Sequence, residues 1–385
     1  MNIVFVVAFP FPTGEASSAR ALNLSRLLVY AGHAVHVIAD AQGQACGDVP
    51  CTYECVGKRA DSFMQRQDNA RKSIARLREY CKNHAVDAVL TNARSDRYDR
   101  IQTICRERGI KLFVESCEWY HFESYKLRLF DPRYWKNQKM ILHGFRGADG
   151  FISISRYLHA YNQSLGKQSV RIPTIMDVAT IPVGRGSSQK EKIQIVYTGN
   201  PRISKEYLAP ILQLLAANQK IRNRIQFHIY GADAQQVLKN RGVREKWLRA
   251  AGDSVVIHGK IPQSAVQGVL MNADYQLFIR PNRRSSHAGF PTKLAESMAV
   301  GTPVIANKTG DIALYLCDGE NGFIVAGTKT ADVEKALLRV IEQKAEDAAM
   351  MRRAARKTAE ACFDYRAYRP QIKWLFQEEH EYQTE

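Results

Sequence analysis

The 385-residue sequence has no apolar run of the roughly 18 to 20 residues that a membrane-spanning helix needs. Its opening, "MNIVFVVAFPFPTG", has neither the basic start nor the small-residue cleavage site of an export leader, so a cytoplasmic protein is expected. No GxGxxG follows that first apolar stretch, where Gly14 stands alone in "PTGEASSAR", and this counts against a dinucleotide-dependent dehydrogenase. A disulfide framework is not expected either, because the eight cysteines are scattered and no export signal accompanies them. Cys46, Cys51 and Cys55 lie closer together, but their spacing fits no standard zinc pattern and no histidine is near. Reduced thiols and no metal site are the expectation.

Positive charge, by contrast, is abundant. Lys and Arg number 55 against 38 Asp and Glu, giving a formal charge of +17 and a pI near 9.5. Such a field suits nucleic acid, anionic lipid or phosphorylated substrates, and a solvated basic surface accounts for it equally well. The hydrophobic fraction of 45% and charged fraction of 24% are those of a soluble globular protein. The length suggests two or three domains.

Periodicity organises the chain as two rounds of alternating strand and helix. "NIVFVVA" is apolar throughout, as in a parallel sheet covered on both faces, and the helix "ARALNLSRLLVYAGH" and strand "AVHVIAD" complete a first βαβ unit. The alternation runs through "AVDAVLT", "KLFVESC" and "ADGFISIS", so residues 1–178 are read as one doubly wound domain. Residues 179–191 read as a linker rich in Gly, Ser and charge, and 192–362 as a second domain of the same class starting at "IQIVYTG". An amphipathic, aromatic helix in 363–385 is expected to pack back across both. Paired α/β domains place ligands in the cleft between the carboxyl ends of their strands.

The most informative stretch is "HAGFPTKLAESMAVGTPVIANKTGD", His287–Asp311. Pro291 suits the first helical position, Gly301 the end, and "TPVIA" a buried strand. Thr292 and Lys293 then lie in the first helical turn, where free N–H groups and the helix dipole attract anions, and Glu296 follows one turn later on the same face. That is a site for a phosphate with a hydroxyl-rich neighbour. The plainer reading is an amphipathic helix with Leu294, Met298 and Val300 inward and Lys293 and Glu296 solvated.

"GFPTKLAESMAVGTPVIA" resembles the nucleotide-sugar motif of retaining glycosyltransferases of family 4, and "YTGNPRISKE" resembles the first strand and loop of their donor domain. "GHAVHVIA", "ADGFISISRYL" and "IPTIMD" are weaker matches, so the likeness spans essentially the whole chain. It implies the GT-B fold, with two Rossmann-like doubly wound parallel-sheet domains facing a cleft, the first for the acceptor and the second for the nucleotide sugar. Glu296 would hold the ribose hydroxyls, and Thr292, Lys293 and neighbouring N–H groups the diphosphate. Lys205, six residues after Gly199, would neutralise the departing nucleoside diphosphate, and "HGKI", His258 to Ile261, would line the base. Transfer in the family retains the anomeric configuration without a metal or cofactor, and no Asp-x-Asp motif occurs in this sequence.

Three departures stand out. Ala288 occupies the place of a first family glutamate, leaving a donor-sugar contact absent or supplied otherwise, as by His287. Asn200 replaces an arginine after the donor-domain glycine, whose phosphate role would pass to Arg202, Arg280, Arg283 or Arg284; equally, "RPNRR" is a solvated loop. Cys117 stands where many relatives carry a histidine, with Glu118 beside it as a candidate to orient or deprotonate the acceptor. His121 is either a nearby acceptor-side group or a surface histidine, and Gly14 is a further acceptor-side candidate.

The basic, aromatic segment "FESYKLRLFDPRYWKNQKMILHGFR" reads as an interfacial surface against anionic membrane, or as a packed helix with a solvated basic side. The resemblance implies a glycan or lipid-diphosphate-linked acceptor at the inner face of a bacterial membrane, and no nucleic acid as partner. A sugar-nucleotide epimerase of the same fold and a basic nucleic-acid-binding protein are the competing readings; no nucleic-acid-binding motif accompanies the charge.

Overall fold

The computed structural model describes residues 1–385 except 45–46, 95, 126, 187–190, 204 and 378–385. Cys46 therefore lies outside the described residues. The chain forms two units, Met1–Asp177 joined by the chain from Asp364 onward, and Val178–Phe363.

In the first unit the strands are β1 (Asn2–Phe11), β2 (Ala34–Gln42), β3 (Thr52–Gly57), β4 (Ala88–Thr91), β5 (Lys111–Ser116), β6 (Gly150–Ser153) and β7 (Gln168–Arg171). They form one parallel sheet in the order β3-β2-β1-β4-β5-β6-β7. Ile3 to Val7 of β1 are buried on both faces, which is why that strand is apolar throughout. Leu24, Leu27 and Leu28 of the helix Ala16–Tyr30 close one face of this core. Strand β3 escapes a reading by periodicity, because it carries polar residues at this sheet edge and is only partly covered.

The second unit contains β8 (Ile193–Thr198), β9 (Ile225–Tyr230), β10 (Val255–Gly259), β11 (Tyr275–Phe278), β12 (Val304–Asn307) and β13 (Gly322–Val325). Its sheet is parallel in the order β10-β9-β8-β11-β12-β13. The strand order reverses between β8 and β11, so the loops leaving their carboxyl ends diverge and leave a crevice there. The helix Thr292–Ala299 follows β11, and Gly301 ends it at φ 77°.

Two segments mark how the chain passes between its units. Residues 178–186 are bound to the second unit rather than forming a free linker. Gly184 N–H donates to the Val300 carbonyl (2.8 Å), and the Arg356 guanidinium donates to the carbonyls of Val178 (2.9 Å) and Ile181 (2.8 Å). The final helix, Arg369–Phe376, belongs to the first unit, where Ile372, Leu375 and Phe376 join the core around β1. The two chain crossings run side by side: Tyr365 N–H donates to the Met176 carbonyl (3.1 Å), and Arg366 bridges Asp177 and Asp364, both at 2.9 Å.

Candidate functional site

Three neighbouring strands of the second unit end in glycines with positive φ, namely Gly199 (108°), Gly231 (95°) and Gly259 (72°). Their N–H groups link in series, from Gly199 to the Tyr230 carbonyl (2.8 Å) and from Gly231 to the Gly259 carbonyl (2.7 Å). A Cβ on Gly231 would stand 2.8 Å from the Gly199 backbone, so glycine is required for the loops to approach this closely.

The loop from Gly199 to Tyr207 is fixed from below by Asn240. Its amide donates to the carbonyls of Arg202 (2.9 Å) and Glu206 (2.7 Å) and accepts from Leu208 N–H (3.0 Å). Asn200 shapes the turn, its side chain accepting from Arg202 N–H (2.8 Å), and Arg202 is held at φ 49°, a sparsely populated region for a non-glycine residue. Arg202 and Lys205 project from this loop and are exposed.

Beneath the loop lies a buried charge cluster. Glu206, 1% exposed, accepts from the Tyr197 hydroxyl (2.5 Å) and pairs with Lys293 Nζ. Lys293 is 8% exposed, and its ammonium also faces the rings of Tyr197 (4.1 Å) and Phe278 (5.5 Å). The buried Arg280 donates through its guanidinium to the Ser286 carbonyl (3.2 Å), while its Nε has no partner. Burial pulls the Lys293 and Arg280 pKa values down, with Glu206 opposing in both. Burial would raise the Glu206 carboxyl, but Lys293, Lys205 and Arg280 together hold it below its ordinary range. The buried cluster thus carries more positive than negative charge, which favours an anion beside it.

No side chain caps the amino end of the Thr292–Ala299 helix, where Thr292 is partly exposed. One turn on, Glu296 is partly exposed and accepts from Gln263 Nε2 (3.3 Å). Its carboxyl is pushed up by burial, against the pull of Lys293. Thus Lys205, Arg280, Lys293 and Glu296 share one electrostatic neighbourhood. His258 is exposed at the end of β10, stacked on Tyr230 (4.0 Å, 5° between planes) and bonded to His228 (2.9 Å), and Ile261 follows, partly exposed. His287 is bonded to Asn282 (2.5 Å), and Ala288 is fully buried.

The first unit holds the other candidates. Glu118 is exposed and receives the Tyr120 hydroxyl, with Arg94 at 3.8 Å. His121 caps a short turn, accepting from Glu123 N–H (3.5 Å), and Gly14 lies after β1 at φ 145°. Beneath them is a network that periodicity gave no sign of. Arg20 pairs with Glu115 (2.6 Å) and donates to the carbonyls of Pro173 (2.6 Å) and Ile172 (3.1 Å), while Cys117 Sγ donates to Glu115 (3.2 Å). Burial, then Glu115, drives the Cys117 thiol pKa far up, so it is a hydrogen-bond donor and not a nucleophile.

Glu206 is the residue of the second unit that the sequence concealed, since it follows an exposed lysine in a polar loop. The motif itself gave Lys293 and Glu296. The family described as glycosyl transferases group 1 matches residues 185–358. That match lies within the second unit and spans most of it. Solved structures resemble the chain over its whole length. Sucrose-phosphate synthase from Thermosynechococcus elongatus is 15% identical, with 97% of this chain and 98% of that one covered and a TM-score of 0.71. HepE of Anabaena, in complex with UDP-glucose, is 14% identical over 97% and 98% at TM-score 0.69. WaaG, a glycosyltransferase involved in lipopolysaccharide biosynthesis, is 12% identical over 97% and 99% at TM-score 0.68. At these identities the likeness establishes the fold, which is GT-B. No curated protein matches the sequence significantly. Among the described residues no group of His, Cys, Asp and Glu could hold a metal ion, and no helix is long and apolar enough to cross a membrane.

Proposed function

We propose that the protein is a retaining, metal-independent glycosyltransferase of the family 4 type. It moves a sugar from a nucleoside-diphosphate sugar to a hydroxyl of a glycan or lipid-diphosphate-linked acceptor in bacterial surface polysaccharide assembly. The observation that carries this reading is the surplus of cations, Lys293, Arg280 and Lys205, around an uncapped helix start with Glu296 one turn on. Glu296 accepts hydrogen bonds from the ribose hydroxyls; Thr292, Lys293 and the first-turn N–H groups hold the diphosphate. Lys205 and Arg202 reach over it from the loop, Lys205 stabilising the negative charge that develops on the leaving group. Gly199 and Asn200 shape that loop, and His258 with Ile261 lines the base. HepE's complex with UDP-glucose and the part of WaaG in lipopolysaccharide biosynthesis support this donor and acceptor class.

On the first unit, Glu118 orients the acceptor hydroxyl, with Gly14 and His121 beside it. The exposed Phe130 (90%) and Trp135 (57%), set among Arg128, Arg133 and Lys136, support peripheral contact with an anionic membrane at its cytoplasmic face. A thermal-shift panel of UDP, GDP, dTDP, CMP and NAD on wild type and Glu296→Ala tests the donor site. A ligand at about 100 times its Kd adds roughly 2.7 kcal/mol, a shift of several degrees. One nucleoside diphosphate stabilising wild type and not the variant is the expected result; equal shifts in both proteins would remove Glu296 from the site. Analysis of the products then separates transfer from epimerisation.

A further inference from the structure

The pairing of Glu206 with Lys293 sets a carboxylate against the ammonium that the donor-site reading assigns to the diphosphate. We propose that Glu206 is a positioning residue that competes with the donor diphosphate for Lys293, holding that ammonium ready and taking it back as the nucleotide leaves. The inference rests on the donor-site reading above.

Four observations carry it. Both groups of the pair are buried, so the contact is strong and not screened by water. Glu206 keeps the Tyr197 hydroxyl as a second donor, so its carboxylate remains satisfied when Lys293 turns away. Asn240 grips the Glu206 carbonyl, so the carboxylate stays in place while Lys293, on a four-carbon stem, is the partner able to move. Finally, Gly199 offers no side chain on the loop side: a Cβ there would stand 3.7 Å from Lys293 Nζ, and its absence leaves that approach open to a ligand. The orphaned Arg280 Nε lies in the same cluster and marks where acceptor oxygens are wanting.

A group that only braced the fold would lower stability and weaken nucleotide binding when removed. A competitor does the opposite to binding. Glu206→Gln keeps the size and an acceptor for Tyr197 but drops the charge, so titration calorimetry with UDP and with GDP should show several-fold tighter binding. Steady-state kinetics should show kcat and the donor KM falling together as product release slows. Lys293→Gln should weaken the same binding, and Glu206→Gln/Lys293→Gln should closely match Lys293→Gln alone, because Lys293 is the cation that Glu206 contacts directly. Weaker or unchanged binding in Glu206→Gln overturns the proposal. Should that variant not fold, the double variant, which leaves no buried charge of the pair unmatched, decides: affinity equal to Lys293→Gln supports it, a further loss overturns it. If wild type binds neither UDP nor GDP, nor any other nucleotide of the thermal-shift panel, the donor-site reading falls, and this inference with it.

Discussion

Each unit buries an ion pair under the carboxyl ends of its sheet, and the two pairs are built differently. In the first, Arg20 spends its guanidinium on Glu115 and two carbonyls, and Glu115 receives further donors from Asn92 (3.2 Å) and Cys117 (3.2 Å). In the second, Lys293 has one carboxylate and two aromatic rings, while Arg280 nearby has an unmatched Nε. The first network sets one guanidinium against one carboxylate, so its charges match, although the amide oxygen of Asn92 lacks a partner. The second has more positive than negative charge and an unmatched cationic donor, which favours an anion there, as the proposed donor site requires.

Substitutions test that contrast most directly. Arg20→Ala strands Glu115 in a desolvated place and should cost about 3 to 5 kcal/mol in denaturant unfolding. Lys293→Gln should lose clearly less stability, because Arg280 and Lys205 still act on Glu206; equal losses would erase the distinction between the two networks. Lys205→Ala, at an exposed position, should leave unfolding unchanged and lower kcat by about 100-fold, the scale of one removed transition-state donor.

Next in size is a pH effect. The Glu296 carboxyl is held above its ordinary range by burial, and the proposed ribose contact uses the ionised form, so nucleotide affinity should fall as pH is lowered through that raised value. The fall should begin at a higher pH than an ordinary glutamate would give, and Glu296→Gln should show no such step in calorimetric titrations. At the small end, Glu118→Gln removes an exposed pair and should change stability by no more than about 0.5 kcal/mol. Its effect on turnover measures the acceptor role alone; unaltered kcat would withdraw Glu118 from the site.

Much was legible in the chain without coordinates. Apolar strands such as Ile3 to Val7, helices ending at glycine, and two rounds of alternation specify parallel α/β sheets, because burial on both faces leaves strands without polar positions. The Pro291-to-Gly301 helix was readable because proline and glycine act within one or two residues of chain. Residues 179–191 read as a linker because carbonyls bound by a distant arginine, such as that of Ile181, leave no local pattern.

Sequence by itself determined the fold class, the helix that presents Thr292 and Glu296, and the excess of positive charge. Only tertiary structure decided which charges are neutralised. It buried Glu206 against Lys293 across 87 positions of chain, joined Arg20 to Glu115 across 95, and left Arg280 wanting an acceptor. Periodicity reports which side of an element meets the core; it carries nothing about which two polar groups meet there, since that depends on how separate elements are brought together in the folded protein.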